Sequence, residues 1–208
     1  MGMVMARAVM YTIMGYLGGS VLFARFFASL LNRGDILSRS ADGNPGTANA
    51  FVYGGFGCGI LTLCGDLLKG FLPVYLYLRG MGIHSCGIGL VFVMAAPVIG
   101  HIFPIFYGFR GGKGIAVSFG SLLGLAPDLR PAFVLAAAFL FFSLVIRVTP
   151  HYSRTIWAYR SAAVCMALLI RNIYIVAAFG VMAFAIDRKL QSSDEKKERC
   201  QVRMLWRH

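Results

Sequence analysis

Long apolar runs separated by short polar ones dominate the chain. Seven stretches read as membrane spans: residues 4–31, 53–78, 84–107, 115–126, 131–148, 155–170 and 172–186. A helix crosses a bilayer with about 20 mostly apolar residues, in a range of roughly 17–25. The runs are continuous rather than alternating, which predicts helices and argues against a barrel. The fourth is short and suits a half-length or broken helix, and the first two carry charges inside them. The expected fold class is an all-α integral membrane protein, a polytopic bundle of about seven transmembrane helices.

Composition strengthens this reading. Of 208 residues, 58% are hydrophobic and only 13% charged, with a mean hydropathy of +0.72. A water-soluble core cannot hide that much apolar surface, so the bilayer is the expected solvent. The first apolar stretch is too long for the hydrophobic region of a signal peptide and reads as the first span. Cys58, Cys64, Cys86, Cys165 and Cys200 form no CxxC pair and no zinc spacing, and they read as small hydrophobes. No metal and no cofactor is expected.

The net charge of +12 sets the orientation. With seven spans and the N-terminus outside, the outer segments hold Arg7, Arg79, Arg130 and Arg171. The inner ones hold Arg33 and Arg39, Arg110 and Lys113, then Arg147 and Arg154, followed by the cation-rich C-terminus. That asymmetry follows the positive-inside rule. The loops around residues 33–51 and 108–114 then share the cytoplasmic face. Residues 1–190 read as one transmembrane domain and 191–208 as a short charged cytoplasmic tail. The dispersed cations suit anionic membrane lipids, and no soluble domain is left to read a nucleic acid.

Two inner loops carry candidate chemistry. DGNPGTANAF, Asp42 to Phe51, contains a turn at residues 43–46, with Asn44, Thr47 and Asn49 offering neutral hydrogen bonds. GFRGGKG, Gly108 to Gly114, combines glycines with Arg110 and Lys113 and suits an anion. It is not a P-loop. Gly114 follows Lys113 where Ser or Thr is required, and Tyr107 stands where the first glycine belongs. Within the spans, Asp66 and Lys69 lie three apart on one helix face and can neutralise each other. His101 faces the bundle. Gly15, Gly18, Gly19 and Ser20 allow close helix packing.

The run GHIFPIFYGFRGGKGIAVSFG resembles the central motif of the bacterial acyl-phosphate:glycerol-3-phosphate acyltransferases. Gly19-Ser20, Gly43-Asn44 with Gly46 and Asn49, and Asp66, Lys69 and Gly70 extend the resemblance. It implies a seven-span enzyme with an external N-terminus, in a bacterial inner or plasma membrane. Such enzymes move a fatty acyl group from acyl phosphate to the 1-hydroxyl of glycerol 3-phosphate, giving lysophosphatidate and phosphate. By resemblance, His101, Asn44 and Asn49 are the catalytic candidates. Lys113, with Arg110 and the amides of Gly111, Gly112 and Gly114, would bind substrate phosphate. Ser20, Asp66, Lys69 and Ser153 would support them.

Several positions depart from the family pattern. Asp42 stands for a serine and Val52 for an arginine. Pro150 lies near a serine position, although Ser153 matches a second one. Asp187 and Leu190 replace the His and Asn of the last motif. The expectation is that Arg39, Arg110 or Arg154 fills the place of the arginine missing at Val52. A catalytically silent protein that binds a phosphorylated lipid precursor, or partners an active homologue, is the alternative function.

Overall fold

The computed structural model describes residues 2–40, 42–79, 87–192 and 201–204. Cys86 and Cys200, with the start of the third predicted span at His84, lie outside them. The first predicted span is two helices, α1 (Gly2–Gly19) and α2 (Phe23–Leu30), bent by 46°. At the break, Ser20 turns its hydroxyl back onto the Tyr16 carbonyl (2.8 Å), and the Val21 carbonyl is taken by Lys69 Nζ (2.6 Å). A carbonyl freed inside a bilayer needs such a partner.

Helix α3 (Thr47–Gly54) and helix α4 (Phe56–Leu78) meet at Gly55, whose φ of +84° favours glycine. Next come α5 (Gly89–Ile102), a 3-10 turn at Ile105–Tyr107, and the nine-residue α6 (Ile115–Leu123), short as its sequence predicts. Helix α7 (Arg130–Leu140) winds into a π turn at Phe141–Val145. Then follow strand β1 (Ile146–Thr149), helix α8 (His151–Leu169) and helix α9 (Ile173–Gln191). Asn172 caps α9, accepting from the Tyr174 and Ile175 amides.

The all-α expectation needs correction. Strand β2 (Gln201–Met204) pairs antiparallel with β1, Ile146 opposite Met204 and Thr149 opposite Gln201. The fifth predicted span runs as helix to residue 148. Its last residues, including the β-branched Ile146 and Val148, leave the helix and, with Thr149, pair with the C-terminal segment instead. Part of the expected solvated tail is thus a strand.

Helix α5 forms the hub, with α1, α4, α6 and α9 packed around it. Val93, Met94, Val98 and Ile102 are buried there with Tyr77, Leu122 and Phe179. Lipid tails are as apolar as these side chains, so close packing rather than the hydrophobic effect holds helix to helix. Gly70 and Gly120 show the requirement. A Cβ on Gly70 would strike the Val117 carbonyl, and one on Gly120 the Leu67 carbonyl, so α4 and α6 touch backbone to backbone.

Among the described residues, Phe56–Leu78 and Gly89–Tyr107 are long and apolar enough to cross a membrane. The bent α1–α2 pair makes a third such span, and Arg130–Val145 is apolar but shorter. The structure is a mostly helical bundle. Arg7 reaches the Leu76 carbonyl (2.7 Å) at one end, where Arg79 and Asp128 line a shared cavity. The two candidate loops and the last turn of α9 meet at another cavity.

Candidate active site

The two charge-bearing motifs sit in different surroundings. Inside the bundle, Lys69 of α4 points its ammonium at three acceptors: Asp66 Oδ1 (2.8 Å), the Val21 carbonyl (2.6 Å) and His101 Nδ1 (2.8 Å). The ammonium hydrogen-bonds the Val21 carbonyl and His101 Nδ1, while its contact with Asp66 Oδ1 is an ion pair that leaves that oxygen without a hydrogen-bond partner among the described residues. Asp66 also accepts from the Thr47 hydroxyl (3.3 Å), which ties the start of α3 to α4. Because Lys69 donates to Nδ1, the imidazole is neutral and carries its proton on Nε2. His101 is 2% exposed. The predicted Asp66–Lys69 pair is present, and its geometry joins four elements.

The second motif folds directly onto this cluster. Gly112 N–H donates to the His101 carbonyl (3.0 Å) and Gly111 N–H to the Ile102 carbonyl (3.2 Å). These carbonyls lie at the C-terminus of α5, where intrahelical donors run out. The expectation that the Gly111 and Gly112 amides face an anion is therefore corrected: they cap a helix. Gly112 also packs on the imidazole, and a Cβ there would meet Nε2. Gly114 has φ +80° and starts α6, so its own place in the loop demands a left-handed residue.

Lys113 points the other way. Its Nζ meets Asp42 Oδ2 at 3.0 Å. Asp42 in turn accepts from Asn49 Nδ2 (2.7 Å) and the Asn44 amide (3.2 Å), and Asn49 also donates to the Asn44 carbonyl (2.8 Å). Asn49 thus braces the first loop. Asn44, Arg110 and Lys113 line a cavity of about 330 Å³ with Asp42. Two further cations stand in that wall, Arg25 of α2 and Lys189 of α9. Partial burial draws the Lys189 ammonium below the ordinary lysine pKa, and an anion in the cavity would reverse that.

Neither Arg25 nor Lys189 was singled out from sequence. A lone arginine within an apolar run is costly, and that signal could have found Arg25. Lys189 read as one more tail cation.

The expected stand-ins for the missing arginine fare unequally. Arg110 lines the cavity. Arg39 donates to the Tyr53 (2.6 Å) and Arg33 (3.2 Å) carbonyls and lies against the Tyr53 ring. Arg154 bonds His151 Nδ1. Val52 is 71% exposed and takes no part in the cavity wall. His151 has its pKa lowered by desolvation, then by the charges of Arg154 and Lys113, so the start of α8 approaches the loop. Ser153 is buried in the first turn of α8. Ser20 Oγ accepts from the Ile105 amide (3.3 Å), fastening the α1–α2 break to the segment before the glycine loop. Asp187 turns away to pair with Arg160 (3.1 Å), and Leu190 is buried.

The family model described as glycerol-3-phosphate acyltransferase matches residues 9–193. The chain belongs to the glycerol-3-phosphate acyltransferase family. A glycerol-3-phosphate acyltransferase of Shewanella halifaxensis (strain HAW-EB4) is 37% identical over 154 residues, 74% of this chain and 69% of that protein. One of Syntrophomonas wolfei subsp. wolfei is 42% identical over 119 residues, 56% of this chain and 57% of that one. The fold matches the crystal structure of PlsY (YgiH), an integral membrane glycerol 3-phosphate acyltransferase, in its glycerol 3-phosphate form. The TM-score is 0.76, with 29% identity and 88% of each chain covered. Its lysophosphatidic acid form gives 0.72 at 28% identity, covering 88% of this chain and 87% of that one. Membership in this acyltransferase family identifies the protein as an integral membrane enzyme and does not favour the silent-binder alternative.

Proposed function

We propose that this acyltransferase uses acyl phosphate as donor and acylates the 1-hydroxyl of glycerol 3-phosphate, yielding lysophosphatidate and inorganic phosphate. The observation that carries the reading is the cavity wall, where the described residues set four cations against one carboxylate beside the GGKG loop. Two anionic substrates repel each other, and cations must hold them together before a hydroxyl can reach a carbonyl. The hydroxyl oxygen bonds to the acyl carbon, and the bond from that carbon to the phosphate oxygen breaks. Phosphate leaves with the electron pair, and one of its oxygens takes the hydroxyl proton. The leaving group is already good, so positioning and charge neutralisation suffice.

Lys113 and Arg110 act on substrate phosphate, and Asn44 offers hydrogen bonds to it. Lys113 stands beside the amino end of α6, whose first amides lack a side-chain cap and add positive potential through Gly114. His101, Asp66 and Lys69 position the loop from behind, Asn49 braces Asp42, and Ser20 and Ser153 support the surrounding turns.

The enzyme crosses the bacterial inner or plasma membrane seven times, with an external N-terminus. Residues 1–190 form one domain, and 191–208 lie on the cytoplasmic side among anionic lipids. Grouping of Arg7, Arg79 and Asp128 away from the cation cavity supports this orientation. Purified protein given acyl phosphate and labelled glycerol 3-phosphate should form labelled lysophosphatidate. Absence of product, with the protein folded, would refute the transferase reading.

A further inference from the structure

The cations of the cavity are not equivalent. Lys113 has a carboxylate, Asp42, at 3.0 Å. Arg25, Arg110 and Lys189 line the same wall, and among the described residues none of them has a carboxylate partner. Among the described residues, the Arg25 guanidinium is held by lying over the Tyr107 ring, 5.4 Å from the centroid. It also lines a second cavity of about 550 Å³ with Ser29, Asn32 and Asp35, so it stands on the wall between two polar spaces. Lys189 sits in the last turn of α9 next to Arg188, which lies over the Phe184 ring.

Three such cations facing one space repel one another, and among the described residues Asp42 is the carboxylate in the wall that offsets them. A dianion does so. The position that the family pattern gives to an arginine is here Val52, outside the wall, while Arg39 is committed to backbone carbonyls.

We propose that Arg25 and Lys189 are substrate-phosphate ligands in this protein, and that with Arg110 they take over the charge lost at Val52. The phosphomonoester of glycerol 3-phosphate is the ligand class: two negative charges and three acceptor oxygens suit a guanidinium from one side and an ammonium from another. Helices α2 and α9 thereby both contribute to the site, one from each end of the chain.

The inference rests on reading the cavity as the transferase site, and the test separates the two. Binding of labelled glycerol 3-phosphate, and separately of inorganic phosphate, is measured on the full chain in detergent. Turnover is measured alongside. Arg25→Gln and Lys189→Gln should each weaken binding of both probes about tenfold or more, the scale of a lost charge-assisted hydrogen bond. Lys189→Arg should restore most of the affinity. Arg188→Gln removes a neighbouring charge and should leave binding unchanged. Unfolding temperatures of the variants should match the parent. If Arg25→Gln loses stability with its Tyr107 contact, the Lys189 pair of variants decides. Parental affinity in Lys189→Gln, or an equal loss in Arg188→Gln, overturns the proposal. A parent that binds both probes saturably but makes no product leaves these ligands standing and refutes the transferase reading. A parent that binds neither refutes both.

Discussion

Two groups of charges in this protein lie back to back, and they differ in how they are satisfied. In the bundle, Asp66 and Lys69 neutralise each other as an ion pair, and Lys69 also donates to the Val21 carbonyl and His101 Nδ1. At the cavity, four cations face one carboxylate among the described residues. A buried charge survives only when paired and hydrogen-bonded. A charge left over at a solvated opening is available to a ligand. We therefore read the first group as structural and propose the second as the place where substrate anions go, although both look alike as polar residues in an apolar sequence. Gly112 is the joint between them, donating to the His101 carbonyl and resting on its ring.

Breaking the inner group should have the largest effect. Lys69→Ala leaves Asp66 buried without its cation and the Val21 carbonyl without a donor. A loss of about 3–5 kcal/mol is expected, the scale for breaking a buried pair. Thermal unfolding in detergent measures it, and parental stability would remove the distinction between the groups. Lys113→Ala attacks the outer group instead. Glycerol 3-phosphate affinity should fall at least about tenfold while the unfolding temperature barely moves, because Lys113 lies in a loop at the cavity.

Gly112→Ala tests the joint. The added methyl collides with the imidazole, so stability should drop by about 1–3 kcal/mol and turnover should fall with it. A fall in turnover alone would detach the loop from the cluster. Asp42→Ser frees Lys113 from its carboxylate, and the KM for glycerol 3-phosphate should fall several-fold. Adding Val52→Arg should bring no further gain, since Val52 is exposed and takes no part in the cavity wall. Steady-state kinetics of the single and double variants decide between this and a coupled pair.

The smallest effect concerns pH. The folded state holds His151 below its ordinary pKa of 6.5, through desolvation and the nearby Arg154 and Lys113 charges. Unfolded chains then bind the extra proton more readily. Stability is unaffected above about pH 6.5 and declines as pH falls below it. His151→Gln should remove a small part of that acid slope, read as unfolding temperature between pH 7.5 and 5.5.

Local spacing was enough for much of this. Continuous apolar runs identified the helices, because satisfying backbone groups in lipid leaves little else for such runs to form. The three-residue separation of Asp66 and Lys69 gave their pairing, since helical geometry alone brings i and i+3 together. The run around GGKG gave, by resemblance, the family. Other features depended on how distant segments return to one another. Only the packing of α2 and α9 against the loops brings Arg25 and Lys189 to one cavity. The glycine amides looked free in sequence, but the carbonyls at the end of α5 claim two of them. Residues 146–148 read as the end of a helix, yet a strand at Gln201–Met204 gives the backbone of 146–149 a partner. A sequence lists the donors and charges of a site; which of them still lack a partner is settled by neighbours that sequence distance does not reveal.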